Sequence, residues 1–530
     1  AMAVLTGCGG DKKETAAAPA EGNTTAAVTE AAKTEAETTA AVQTEAGGEK
    51  NLVMPSASCV ANLNPLLEGY KEAAMLNPIY DPLYVIDVNE TRYYLADSYE
   101  VSEDGMQITV KLKEGLKWHD GEAITADDMI FTMDVCSDTN NGAGGTNIVI
   151  LNDQPVKYEK VDDLTVKVTL PMASASYADL LGGLTLIPEH VFEGNPSVVS
   201  AGEANMKGIG SGPYKVTEFK QDEYLLLEKY EDYYMGAPSI DKVTFRIISD
   251  LSAQEVALMN GEVNFMELAN APAVAKYEAD PNFTVVKYPE GRVNYLAVNK
   301  FCETVQDPKV VEAVFAALNR DEIIAGAYGD GMAESANSIF SNVNTFYDPS
   351  VEGYTQDVEK AKQLVKETGL DSKTLTLYFN SERVYMKESA QIIQQQLKNV
   401  GINLEVIPLE SAGFFEKVFG TDGDYEFYLN GYGAVGDPDQ VVAGMYDGTW
   451  GVNLAVSDEV SQLWKDARTV YTPEERAAIY KQIQIQTRDE LTCYPIAYPN
   501  YVFVTTSNIK GADTIKRTPV FEDYTKLTME

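Results

Sequence analysis

The sequence predicts an α/β chain folded as two lobes with a ligand cleft between them, and three observations carry that reading. Helix–glycine–strand units occur twice: Ser252–Asn260, Gly261 and then EVNFMEL, and Met386–Val400, Gly401 and then INLEVIP. A glycine just past a helix takes the left-handed cap and turns the chain straight into a strand, as in open α/β sheets. The two units lie far apart in the chain, which suggests separate lobes, and small ligands usually lie in clefts between lobes. At 530 residues and 45% hydrophobic side chains, the chain is long enough for more than one large core.

The elements follow in order. Strands are predicted at Leu52–Ser58, Ile108–Lys113, Leu164–Leu170, Tyr224–Lys229, Lys242–Ile248, Tyr295–Val298, Leu375–Phe379, Leu404–Ile407 and Tyr501–Thr505. Ile108–Lys113 and Leu164–Leu170 alternate apolar and polar residues, which suits a sheet with one wet face. Thr125-Ala-Asp-Asp128, Ser252-Ala-Gln-Glu255 and Thr472-Pro-Glu-Glu475 fit capping boxes, in which hydroxyl and carboxyl satisfy the orphan amides of a helix start. Asp307-Pro308 places a cap before proline at the first helical position.

Ahead of this body lies a different kind of sequence. AMAVLTGC ends in Leu5-Thr6-Gly7-Cys8 and resembles the bacterial lipobox, whose cysteine takes a diacylglyceryl group. Residues 1–8 therefore read as the end of a signal sequence, with Cys8 as the lipidation site. Residues 9–50 hold no Leu, Ile, Phe, Tyr or Trp and form an Ala/Thr/Glu-rich run. Such a segment buries too little apolar surface to offset its ordering entropy and is expected to be a disordered tether reaching roughly 35 Å. No run of apolar residues elsewhere is long enough to span a bilayer.

A formal net charge of −40 argues against nucleic acid as a partner, because phosphate binding needs basic patches. Five cysteines, at positions 8, 59, 136, 302 and 493, have neither metal-ligand spacing nor the density of a disulfide framework. The two histidines, His119 and His190, are far apart, so no metal site and no cofactor is expected, and His119 reads as structural.

Several stretches together resemble the extracytoplasmic solute-binding proteins of peptide and nickel ABC importers. LKEGLKWHDGEAITADDMIFTMD (Leu112–Asp134) is similar to that family's strand, G-x-x-[WF]-H-D-G turn and capped helix. GIGSGPYKV (Gly208–Val216) resembles its glycine-rich turn. ALMNGEVNF, NYLAVNKF, VVEAVFAALNRDEII and YTPEERAAIYKQIQ follow in the family's order, and the likeness runs from Leu52 to Ile509. The resemblance implies a two-lobed periplasmic-binding-protein-like fold (class II) with an inserted accessory domain. Lobe I would comprise residues 51–74, 206–293 and 491–530, the accessory domain 75–205 and lobe II 294–490, with hinge crossings near Asn294 and Glu490. It implies a monomeric, lipid-anchored receptor on the extracytoplasmic face of the membrane. That receptor would capture short peptides and hand them to ABC permease subunits. A nickel complex, an oligosaccharide or an amino-acid derivative is the alternative ligand.

The family's pattern also marks candidate ligand residues. Relatives meet the ligand ammonium with an Asp in a G-W-x-x-D loop. Here Tyr432 matches the aromatic, but Val435 stands where the Asp is expected: either Asp437 takes its place, with Asp439 beside it, or the ligand has no free amino terminus. Arg383, past a strand, lies where relatives can place a basic group near the ligand carboxylate; a surface arginine on a loop is the alternative. Tyr295, Tyr498 and Tyr501 near the crossings, Ser58 at the end of the first strand, and Trp450 and Asn453 beyond the loop complete the set. A hydrolase using Asp437 and Asp439 is the rival class. Two carboxylates one residue apart do not give the separation that glycosidases hold across a substrate, and no nucleophile elbow, zincin helix or dinucleotide loop is present. Asp437-Pro-Asp439 also lacks the oxygen spacing of a calcium loop. A structural or adhesive lipoprotein, the third class, would not need a cleft.

Overall fold

A computed structural model describes residues 49–67, 75–86, 90–433, 436–446, 454–515 and 523–530. Residues 9–48 of the tether, Cys8, Val435, Trp450 and Asn453 lie outside the described residues.

The chain enters as β1 (Asn51–Ser56) and then leaves for an antiparallel sheet. That sheet is built from β2 (Ala96–Val101), β3 (Gln107–Leu112), β4 (Lys157–Asp162) and β5 (Thr165–Thr169), in the order β2-β3-β5-β4. Helix α1 (Ala126–Ser137) covers it and opens on the predicted capping box: Thr125 accepts from Asp127 N–H, and the Asp128 carboxylate accepts from Thr125 N–H. The alternation in β3 puts Ile108, Val110 and Leu112 into a core shared with Trp118, Met129 and Tyr177. A short helix, α2 (Tyr177–Gly182), closes this body. Met75, Leu76, Ile79 and Tyr80, expected here, pack instead with the core around β1.

The chain returns as β6 (Tyr214–Lys220), β7 (Tyr224–Lys229) and β8 (Lys242–Ile247), which join β1 in the order β1-β8-β7-β6. β1 and β8 run parallel, with Asn51 opposite Lys242. Helix α3 (Leu251–Met259) starts one residue before the expected cap: the Asp250 carboxylate accepts from Ala253 N–H, the role anticipated for Ser252.

A larger sheet holds the rest. Its strands are β9 (Phe265–Glu267), β10 (Phe283–Pro289), β11 (Arg292–Val298), β12 (Ala333–Ser335), β13 (Thr374–Asn380), β14 (Asn403–Leu409), β15 (Phe427–Gly433) and β16 (Cys493–Thr506). The path is β9-β16-β11-β15-β13-β14, with β10 and β12 also on β16. Helix α4 (Val384–Asn399) ends before Gly401, whose φ of +92° makes the predicted turn into β14. β11 is buried on both faces. Leu296 and Val298 pack toward Leu377 and Phe427, while Val293, Tyr295 and Ala297 pack toward Tyr428, Tyr446 and Trp464.

Strand β16 is longer than the expected Tyr501–Thr505 because Pro495 and Pro499 interrupt its pattern without ending it. Its first half pairs with β11 from Cys493 to Ala497, and its second half pairs with β10 from Asn500 to Thr506. β10 and β11 are separated only by Glu290 and Gly291. The chain thus changes partners at Glu290–Gly291 and at Tyr498–Pro499. The first exchange falls in the two-residue turn between β10 and β11 and the second within the continuous strand β16.

Candidate ligand cleft

Two polar constellations border the GYG…GDPDQ segment. The first lies where β11 meets β15. Arg292 donates from Nε to Glu290 Oε1 at 3.0 Å and from Nη1 to the Gly431 carbonyl at 2.9 Å. Asn294, opposite Gly431 in the ladder, is 3% exposed. Its Nδ2 donates to the Tyr328 hydroxyl at 2.8 Å, while its Oδ1 is a buried acceptor with no partner. A Cβ on residue 431 would lie 2.0 Å from that oxygen, so the close approach of the two strands demands glycine. Tyr328 stacks on Tyr385 at 5.3 Å, and Tyr385 accepts from Arg383 Nη1 at 3.1 Å. Arg383, at the N-cap of α4, is thus tied through two tyrosines to the glycine strand. These groups lie at the carboxyl end of β13 and β15, which run parallel, and that is where open α/β sheets receive ligands.

The second constellation surrounds the two aspartates. Asp437 caps a short helix, α5 (Pro438–Val441), by accepting from Asp439 N–H at 3.0 Å. Both its oxygens also meet the Arg476 guanidinium, Oδ2 from Nη1 and Oδ1 from Nη2 at 2.9 Å, and the Tyr480 hydroxyl adds a contact at 3.4 Å. Asp437 is 7% and Arg476 5% exposed. Arg476 and Tyr480 share one face of α7 (Pro473–Asp489), which follows α6 (Asp458–Ala467). Asp439 accepts from Arg468 Nε at 2.6 Å and from Ser176 Oγ at 3.0 Å; burial raises its carboxyl despite the arginine.

The expectation that Asp437 receives a ligand ammonium does not fit this geometry. Its charge is neutralised by a two-pronged arginine, so a second cation would find no free negative charge there. Asp439 is committed in the same way to Arg468. The same pairing leaves neither carboxylate as a free charge: Asp437 is held by Arg476 and Asp439 by Arg468. Tyr295, 1% exposed, is a core ring 5.1 Å from Tyr432. Tyr498, 3% exposed, donates to Asn337 Oδ1 at 2.9 Å and holds the Ser338 amide at 3.1 Å, which makes it a structural anchor. Tyr432 is tied by its hydroxyl to the Ile339 carbonyl at 2.7 Å. Tyr501 is half-buried beside Phe503, opposite Tyr288 in the ladder, and Ser58 is exposed past the end of β1.

Sequence reasoning missed Arg292, Arg468 and Arg476, and marked Asn294 only as a hinge crossing. The signal for Arg476 was present: with Tyr480 it forms an i, i+4 polar pair on the buried side of an otherwise charged helix.

The family model described as bacterial extracellular solute-binding proteins, family 5 Middle, matches residues 90–453. The dipeptide-binding protein of Escherichia coli (strain K12) is 27% identical over 87% of this chain and 92% of its own length. The crystal structure of the ABC transporter substrate binding protein CtaP from Listeria monocytogenes has a TM-score of 0.84 and 33% identity. It covers 91% of this chain and 99% of its own. The oligopeptide-binding protein AppA from Bacillus subtilis, solved in complex with a nonapeptide, has a TM-score of 0.71 and 26% identity, with coverage of 91% and 99%. The fold is the two-lobed α/β fold of periplasmic binding proteins, and the family is one of solute receptors. The chain therefore belongs to family 5 of the bacterial extracellular solute-binding proteins.

Proposed function

We propose that this chain captures short peptides in the cleft between its two lobes and delivers them to the permease of an ABC importer. The observation that carries this reading is likeness over nearly the whole folded body to a dipeptide-binding protein and to a receptor solved with a nonapeptide. The one-strand crossing supports a hinge. Among the described residues, Glu290–Gly291 and Tyr498–Pro499 join the strands of lobe I to those of lobe II in the large sheet, and rotation there would move each lobe as a body. On this reading the accessory domain starts near Leu83 rather than at Met75, since the first of its core residues after β1, apart from Leu66, lie there.

Backbone hydrogen bonding to an extended peptide alongside the part of β15 beyond Phe427 and Tyr428, its residues paired with β13, would give affinity with loose side-chain selection. Arg383 is proposed to meet the ligand carboxylate, and Tyr501, Ser58, Trp450 and Asn453 to line the cleft. Asp437 and Asp439 would form a charge-neutral wall. The proposal includes a lipid anchor at Cys8, on the strength of Leu5-Thr6-Gly7-Cys8, a monomeric receptor, and no turnover of the ligand.

Mass spectrometry of ligand co-purified with the protein, followed by calorimetry with peptides, sugars and nickel complexes, tests the assignment. Micromolar or tighter binding of peptides without their cleavage is expected. Binding of a sugar or metal complex, with no peptide bound, would overturn the peptide assignment.

A further inference from the structure

The accessory body, built on β2–β5, is joined through the chain only to the strands of lobe I. Yet it makes a set of hydrogen bonds with the GDPDQ loop of lobe II. Asp437 N–H donates to Asp179 Oδ2 at 2.9 Å. Ser176 Oγ donates to Asp439 Oδ2 at 3.0 Å and accepts from Gln440 Nε2 at 2.6 Å. Ala175 N–H donates to the Arg468 carbonyl at 3.0 Å. Farther along, the Tyr471 hydroxyl meets the Gly105 carbonyl at 3.5 Å. The loop side of this contact is held rigid by the two arginine pairs, Arg476 on Asp437 and Arg468 on Asp439.

We propose that Ser176 and Asp179 on one side, and Asp437, Asp439 and Gln440 on the other, form a latch that holds the cleft shut. The inference rests on the receptor reading in one respect, that the lobes part about the crossings. An opening in which the accessory body moves with lobe I, to which the chain joins it, breaks these bonds.

The latch has a built-in pH response. Asp179 is half-buried, and burial pushes its carboxyl up to about 6. The Asp437 amide and the Arg476 charge pull it down, and the Asp437 carboxylate pushes it up. On its own side it faces the Tyr84 and Tyr99 phenols, both of which are themselves raised by burial. With the cleft open, the carboxyl would regain water and titrate near the ordinary value of about 3.9. The shut form therefore binds the proton more tightly. Closure strengthens as pH falls toward 4 and weakens as pH rises through 6. Between pH 7.5 and 5.0 the shut-to-open ratio rises by at most about tenfold, less where solvent screens the group.

The test uses the full chain without ligand at pH 5.0 and 7.5. It combines small-angle X-ray scattering with the hydrogen-exchange protection of the Asp437 amide. The native protein is expected to be more compact, and Asp437 roughly three- to tenfold better protected, at pH 5.0. Asp179→Asn keeps an acceptor without the charge and should be compact at both pH values. Ser176→Ala should be more open at both. Equal compactness and equal Asp437 protection across pH, with both variants matching the native protein, would overturn the latch. Calorimetry with trialanine and a nonapeptide on the same samples separates the two readings. Absence of peptide binding counts against the receptor's ligand, whereas the ligand-free measurements decide the latch.

Discussion

Arg476 and Asp437 form a two-pronged ion pair that is almost sealed from solvent, with the ring of Phe346 5.1 Å from the guanidinium on one side and that of Tyr480 at the same distance. The pair fixes the GDPD loop against α7 and decides what its first carboxylate does. Breaking it from one side leaves a buried charge uncompensated. Arg476→Ala or Asp437→Ala should therefore cost about 3–5 kcal/mol of stability. Asp437→Ala combined with Arg476→Ala should cost clearly less than the sum of the two single changes. Urea denaturation of the native protein, the two single variants and the double variant measures this; additive losses would show that the pair is not coupled.

Asp81 is 0% exposed and accepts from the Tyr233 and Tyr234 hydroxyls at 2.8 and 2.7 Å, while its other oxygen has no partner. Burial pushes its carboxyl up to about 7, against the pull of the two tyrosines. Because the folded value exceeds the unfolded one, its stabilising effect is fully present below about 4 and is lost as pH rises through 7. Asp81→Asn can still accept both hydroxyls through its carbonyl and carries no charge. It should leave stability near pH 4 within about 1 kcal/mol of native. At pH 8 it should raise stability by several kcal/mol, on the order of 1.4 kcal/mol for each pH unit that separates the folded from the unfolded carboxyl. Thermal melts across that range check the sign, and a parallel offset at all pH values would refute it.

Gly431→Ala brings a methyl onto Asn294 Oδ1 and within 3.2 Å of the Val293 carbonyl. The strand pair must spread or Asn294 must leave Tyr328, at a cost of about 1–3 kcal/mol. Asn294→Ala in the same chain should recover part of that loss by removing the clash. A double-mutant cycle on melting temperature gives the coupling, and its absence would show that the clash is relieved elsewhere.

Arg383 donates to a tyrosine hydroxyl, a neutral acceptor that leaves the guanidinium charge to meet an anion. If it meets the ligand carboxylate, Arg383→Ala should weaken binding of free-acid peptides about tenfold or more and leave amidated peptides nearly unchanged, since a hydrogen bond to a charged group contributes about 1.5–3 kcal/mol. Calorimetry with matched acid and amide peptides reads the difference. Equal losses for both would remove Arg383 from that role.

Local rules were legible where they depend on neighbours in the chain. The Thr125 capping box, the Asp307 cap before Pro308 and the helix stop at Gly401 all occur as their residues dictate. Thr472, by contrast, caps α7 without a side-chain bond, although its box pattern was complete. Its helix begins with proline and lies against the GDPD loop, so tertiary contacts hold the start in place of the box. Pro495 and Pro499 hid the length of β16, because a proline argues against a strand unless its place in the sheet spares the missing donor.

The sequence by itself determined the two-lobed α/β class, the ordered motif series and the acidic balance that argues against a nucleic-acid partner. Each of these rests on periodicity, composition or short-range spacing. Only the tertiary structure decided the role of Asp437 and Asp439. Their partners Arg468 and Arg476 come from the next helices, and Ser176 and Asp179 from a body 258 to 264 residues earlier in the chain. A carboxylate's chemistry follows from the charge and solvent around it, and those neighbours are brought together by folding, not by adjacency in the chain.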